Sequence, residues 1–235
     1  MEPNMKPMLR PAQFVEHQLV TAILRGDYTP GTALPNERTL AQKLGVTRPT
    51  LRETLQRLAG EGWVAIRHGK PTVVNDYWKT GGLRLLGTMA NYAEFLPKGF
   101  IVHLLEIRIS FIPEVARLAA KREPGILQTF LEKEPLLGCE AEAFATFDWD
   151  LQVLMTRHSG NPIYPLMLND FAQVFGIMAV PYFSLPEARD ASRRYYRELL
   201  EEIESSGEGV EQLVRSAMEE SIVIWNRIDT DGQAV

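Results

Sequence analysis

The chain has 235 residues, 45% of them hydrophobic and 23% charged, with a formal net charge of −5; this is ordinary globular composition, long enough for two separate cores. Its one cysteine, Cys139, excludes an internal disulfide or a four-cysteine metal cage and suits a reducing compartment. The longest apolar stretch, residues 174–183, is about half of what a bilayer span requires and is interrupted by Gly176 and Pro181, so no membrane segment is expected.

Residues 1–10 carry two prolines and no apolar run, which fits a disordered start rather than a signal peptide and points to a cytoplasmic protein. Phe14, Val15, Leu19, Val20, Ile23 and Leu24 then recur at helical spacing up to Gly26. Asn36 caps a short second helix that carries Leu40 and Leu44 and ends at Gly45. Thr47 is a natural N-cap for a third helix over residues 48–61, with Pro49 in the first turn and Leu51, Leu55 and Leu58 on one stripe. After Gly62 the period changes: residues 63–66 and 72–74 are rich in β-formers and flank a basic tip, Arg67-His68-Gly69-Lys70-Pro71. These elements predict a winged helix-turn-helix over 11–75.

Beyond it the strand signals vanish. Residues 76–98 are expected to be a linker and first helix, and 99–230 an all-α bundle that binds an effector. The predicted helices cover 78–91, 99–122, 124–137, 139–158, 162–183, 186–205 and 208–228, broken at prolines, glycines and Ser159-Gly160-Asn161-Pro162. The whole is mainly α. Charge divides along the same line: residues 1–80 hold 11 Lys and Arg against 7 Asp and Glu, a net of +4, and the remainder holds 14 against 23, a net of −9. The N-terminal part suits a polyanion and the C-terminal part does not.

The second helix of a helix-turn-helix enters the major groove by its N-terminal end, where short side chains reach base edges and phosphates. Thr47 to Arg52 supply that chemistry. Arg48 and Arg52, four apart, can each fork onto guanine O6 and N7 or onto a phosphate, with the hydroxyls of Thr47 and Thr50 beside them. Arg38 opens the second helix, where a phosphate would lie. At the wing tip Gly69 makes the turn tight and Lys70 suits the minor groove, while His68 is either a contact or an ordinary turn residue. A single arginine here could as well be a solvated charge paired with Glu37 or Glu53; cap, paired arginines, leucine stripe and basic hairpin together point to double-stranded DNA.

The strings Pro35-Asn36-Glu37-Arg38, Gly45-Val46-Thr47-Arg48 and Leu51-Arg52-Glu53 resemble the N-terminal domain of GntR-family bacterial transcription regulators. His68-Gly69-Lys70-Pro71-Thr72, Ser159-Gly160-Asn161-Pro162-Ile163-Tyr164 and Tyr182-Phe183 before Pro186-Glu187-Ala188-Arg189 resemble the fatty-acid-responsive FadR branch, as far as about residue 228. The resemblance implies operator contacts at Arg38, Thr47, Arg48, Thr50, Arg52, His68, Gly69 and Lys70, with Pro49 in place of a threonine. It also implies a homodimer on a palindromic operator, since two recognition helices one DNA turn apart read a two-fold site.

For the second domain the resemblance implies a long-chain acyl-CoA held between helices, with Arg108, Tyr182, Glu220, Ser221 and Trp225 lining the site. Met89, Leu105, Ile109, Met155, Phe171, Phe175 and Met178 would add apolar surface for its tail, although a bundle needs such residues merely to pack. Met218 and Ile222 stand where the branch has glycines, and Thr230 where it has a basic residue. Other GntR regulators hold a metal through one aspartate and three histidines and sense organic acids on it. Here Asp148 is present, but Gln152, Tyr196 and Ser221 occupy the histidine positions, so a metal-dependent organic-acid sensor is the alternative. No catalytic residue, metal or cofactor is expected: there is no nucleophile elbow, no Gly-rich phosphate loop and no histidine pair at metal spacing, His17, His68, His103 and His158 being scattered.

Overall fold

A computed structural model describes residues 10–134 and 138–230; the first nine residues, expected to be disordered, lie outside the described residues. The chain divides into two units, Met1–Leu96 and Pro97–Val235.

In the first unit, α1 (Pro11–Leu24) buries Val15, Leu19, Val20 and Ile23, while Phe14 stays 37% exposed. It packs on α3 (Arg48–Glu61), whose Leu51, Leu55 and Leu58 are spaced by four and three and so share one buried face. Between them α2 (Glu37–Leu44) buries Leu40 and Ala41. Local chemistry fixes the ends: the Asn36 side chain accepts from the Thr39 N–H at 3.0 Å, and Gly45 closes α2 at φ +68°, a left-handed conformation that a Cβ disfavours. The Thr47 hydroxyl accepts from the Thr50 N–H at 3.3 Å and starts α3 in a new direction.

The wing is narrower than its β-rich sequence predicts. Strands β1 (Val64–Ala65) and β2 (Val73–Val74) pair antiparallel, Val64 opposite Val74 and Ala65 opposite Val73; Ile66 lies outside the ladder, 46% exposed. The other edge of β2 is taken by a segment that reads as loop between Pro30 and Pro35. There Val74 N–H donates to Thr32 O at 2.9 Å, Gly31 N–H to Val74 O at 2.8 Å and Leu34 N–H to Thr72 O at 2.8 Å. Strand β2 is therefore hydrogen-bonded on both of its edges.

The single helix expected over 78–91 is two: α4 (Tyr77–Thr80) and α5 (Arg84–Ala90), parted by Gly81-Gly82. A Cβ on Gly81 would lie 2.4 Å from Tyr77 O, so only glycine fits there. Helix α5 and the turns after it pack on the helix-turn-helix. Thr88 donates to Glu61 at 2.8 Å, Tyr92 stacks on His17 at 5.4 Å, and Arg25 lies 5.1 Å from the centroid of the Phe95 ring.

The second unit is all helical: α6 (Phe100–Arg122), α7 (Pro124–Leu131), α8 (Ala141–His158), α9 (Ile163–Phe183), α10 (Pro186–Ser205) and α11 (Val210–Thr230). Helix α7 ends at Leu131, short of the expected 137, and residues 135–137 lie outside the described residues. Helix α6 packs on α8 and α11, α8 on α9, and α10 on α7, α9 and α11. Helix α9 continues through Gly176 and Pro181, so by length and composition alone it could span a bilayer. In this fold its Leu168, Phe171, Val174, Met178 and Phe183 are buried core residues.

After α7, Glu134 is 2% exposed and clamps α10 through Arg193 at 2.7 Å and Arg197 at 3.0 Å. Burial pushes its carboxyl up, but hydrogen bonds from both arginines outweigh that and hold it below the usual range.

Candidate nucleic-acid interface and candidate ligand cavity

On the first unit, Arg38, Thr47, Arg48, Arg52, His68, Gly69 and Lys70 are exposed and Thr50 is half-buried. The Thr47 and Thr50 hydroxyls are 2.9 Å apart at the start of α3. Arg48 and Arg52 lie along the flank of the leucine stripe, at the start of α3, with side chains 63% and 61% exposed. At the wing tip the Lys70 N–H donates to Arg67 O at 3.1 Å, and Gly69 takes φ +69° to close that turn. Arg67 is also exposed there, a cation that sequence reasoning left out of the candidate set although it adjoins His68.

Of the two carboxylates expected to pair with the arginines, Glu37 is the partner. Arg52 donates to it through Nε at 3.3 Å and Nη2 at 3.0 Å, and Arg48 Nη2 stands 4.0 Å from the same oxygen. An exposed pair of this kind contributes about 0–1 kcal/mol to folding, so the arginines remain available to an incoming polyanion.

The second unit encloses a cavity of about 100 Å³ whose lining includes Arg108, Tyr182, Glu220, Ser221 and Trp225. Leu105, Phe171, Phe175 and Met178 contribute apolar wall, as expected for tail-lining residues. Three other residues expected there lie elsewhere: Ile109 and Met155 are outside the lining, and Met89 belongs to the first unit. Met89 is fully buried there because α5 packs on the helix-turn-helix instead of joining the bundle. Met218 lines the cavity and Ile222 does not; the side chain of Thr230 lies outside the described residues.

Part of the cavity lining is polar. Arg108 is half-buried, and its Nε is enclosed without a hydrogen-bond partner, a donor that an occupant with an acceptor would satisfy. The Asp148 carboxylate accepts from the Tyr196 hydroxyl at 3.1 Å and from Gln152 Nε2 at 2.6 Å. Burial raises the Asp148 carboxyl above its usual range, against the pull of the Arg108 charge and of those two hydrogen bonds. Burial likewise raises the phenols of Tyr182, Tyr195 and Tyr196, which stay protonated donors. Ser221 donates to Met218 O at 2.6 Å, Glu220 is held by Arg194 at 2.6 Å, and Tyr182 faces the Trp225 ring at 6.4 Å. Asp148, Gln152 and Tyr195 also line the cavity. Asp148 and Gln152 share a face of α8 by their spacing of four, but nothing local announces that Tyr195 and Tyr196 join them.

The same geometry does not suit a metal. An amide, a phenol and a hydroxyl replace imidazoles around Asp148, and Tyr196 and Gln152 are already bonded to its two oxygens. Among the described residues no cluster of three His, Cys, Asp or Glu side chains could hold an ion.

Comparison with known proteins also gives two parts, with the boundary at residues 74 and 75 where the compact units part at 96 and 97. The family described as bacterial regulatory proteins, gntR family, matches residues 11–74, and the FadR C-terminal domain matches residues 75–232. The fatty acid metabolism regulator protein of Klebsiella pneumoniae subsp. pneumoniae is 37% identical over 219 residues, 93% of this chain and 92% of the relative. Its namesake from Edwardsiella ictaluri is 38% identical over 217 residues, 92% of this chain and 91% of the relative. Among solved structures, Lar, which controls expression of the Listeria monocytogenes agr system, superposes with a TM-score of 0.62 at 17% identity, covering 95% of this chain and 100% of that one; this is a likeness of fold alone.

Proposed function

The chain belongs to the GntR family of bacterial regulatory proteins and carries a FadR C-terminal domain, and from that premise we propose a cytoplasmic transcription regulator of fatty acid metabolism that releases operator DNA when a long-chain acyl-CoA enters its helical unit. The chemistry of the first unit supports DNA as one partner: Arg38, Arg48, Arg52 and Lys70 present four exposed cations around the start of α3 and the wing, suited to displacing counterions from phosphates and reading guanine edges. Thr47, Thr50, His68 and Gly69 complete that surface. A homodimer would set two such surfaces on a two-fold operator.

The observation that carries the ligand reading is the largely apolar cavity with the unsatisfied Nε of Arg108, one of its lining residues. An acyl chain gains about 0.8 kcal/mol per buried methylene, and a thioester carbonyl or phosphate offers the acceptor that Arg108 lacks. Ligand pockets usually enclose roughly 300–1,000 Å³, several times the volume present here, so an acyl chain must part the helices to enter. Pro181 provides a soft point in that wall: it has no N–H for Ile177 O, and Met178, Ala179 and Tyr182 of the lining flank it. Two packings of one bundle, one closed and one spread by ligand, are what coupling to DNA requires.

A labelled operator duplex, obtained by selection from random sequence, tests this reading by fluorescence anisotropy. Oleoyl-CoA is expected to lower the anisotropy of the complex, with DNA binding weakened by up to about 2.7 kcal/mol for a 100-fold preference of the ligand for the DNA-incompetent state. Unchanged anisotropy at saturating oleoyl-CoA would reject the acyl-CoA.

A further inference from the structure

Glu37 is an acidic residue inside a surface otherwise suited to a polyanion, and it pairs with Arg48 and Arg52 in the first half of α3. It opens α2, behind the Asn36 cap, while Arg52 lies fifteen residues further on in α3. The contact uses one particular edge of the guanidinium. Nε and Nη2 of Arg52 donate to Oε1 and Oε2 of Glu37. Of the five N–H groups, those on Nη1 and the second on Nη2 stay uncommitted, and they form the other edge of the fork. Arg48 Nη2, 4.0 Å from the same Oε2, is drawn to the same carboxylate.

The pair does little for folding, because it is exposed and α2 already packs on α3, with Leu40, Leu51 and Leu55 buried. Its consequences fall on DNA. We infer that Glu37 is a positioning residue for DNA reading: it holds the inner edge of Arg52 so that the outer edge meets the base, and its charge weakens binding to arbitrary sequence. A fork held before contact loses less freedom when it meets guanine O6 and N7, which favours the right base. A phosphate approaching Arg48 or Arg52 comes within a Debye length, about 8 Å, of the Glu37 carboxylate and is repelled at every sequence alike. Glu37 thus exchanges overall affinity for discrimination.

This inference rests on the proposal that the first unit binds DNA, and one experiment separates the two. The full-length chain is used to select duplexes from a random pool, and its affinity for the enriched duplex and for a scrambled one is followed across salt. In Glu37→Gln the charge is gone: binding to the scrambled duplex is expected to tighten about tenfold at low salt, with the slope of log affinity against log salt steeper by about 0.9, the signature of one more phosphate neutralised. Glu37→Asp keeps the charge but is one methylene too short to reach Nε and Nη2 of Arg52, so the slope stays and the ratio of specific to scrambled binding falls several-fold. Both variants should melt with the wild type, since only an exposed pair is altered. If wild-type chain discriminates while both variants keep its slope and ratio, the role of Glu37 is overturned and the DNA reading stands. If the wild type enriches no sequence, the DNA reading fails and takes this inference with it.

Discussion

The DNA-facing surface and the cavity handle their charged groups in opposite ways. On α3 Arg48 and Arg52 are exposed, share one carboxylate and contribute little to folding, so their chemistry is free for a partner and their loss should leave the fold intact. In the helical unit Asp148 is half-buried with its carboxylate desolvated, Arg108 has an enclosed nitrogen without a partner, and Trp225 is only 3% exposed. Those residues serve packing and recognition at once. A surface site can therefore be altered residue by residue, whereas a cavity between helices cannot be altered without changing the stability of its walls.

The sharpest way to break this comparison is Trp225→Ala. Removing a buried indole from the cavity wall should destabilise the helical unit by about 3–5 kcal/mol, seen as a large drop in its melting temperature together with loss of any response to oleoyl-CoA. A variant that melts like the wild type would show that the wall is not structural. Next in size are Arg48→Ala and Arg52→Ala. Each should weaken binding to the selected operator by about 1–3 kcal/mol in an anisotropy titration, with melting unmoved; a fall in melting temperature on a par with Trp225→Ala would erase the distinction between the two sites.

The smallest effect is expected at Asp148. Burial raises its carboxyl, so the folded chain keeps a proton that the unfolded chain has already released, and stability falls as pH rises from the ordinary aspartate range through the raised value. Asp148→Asn removes that titration. It should match the wild type in acid and melt higher at neutral pH, by about 1 kcal/mol, the scale of an ordinary single substitution. Glu134 has the opposite sign: its lowered carboxyl stabilises the fold at neutral pH and ceases to do so as pH falls through its folded value. Equal pH profiles for Asp148→Asn and wild type would mean that the Asp148 carboxylate is not penalised by its burial.

How far each region is legible in the sequence depends on the range of its interactions. The leucine stripe of α3, the Thr47 and Asn36 caps and the Gly45 turn depend on neighbours within four residues, so sequence alone determined the helix-turn-helix and the orientation of Arg48 and Arg52 away from the core. The bundle helices were legible for the same reason, from apolar period and breaks. The exceptions needed a partner far along the chain: Thr32 to Leu34 reads as loop until β2 provides its hydrogen bonds, and residues 78–91 read as one helix of a linker until Gly81 and Gly82 break it and α1 and α3 accept its second half. Which of Glu37 and Glu53 meets Arg52 was open in the sequence and was decided by how α2 packs on α3. The tertiary structure alone likewise gathered Arg108, Asp148, Tyr196 and Trp225 from four helices into one unit and placed Met89 in the other. A cap or a stripe is a short-range consequence of backbone geometry, whereas a cavity is what remains when distant faces pack, and no local pattern encodes which faces will meet.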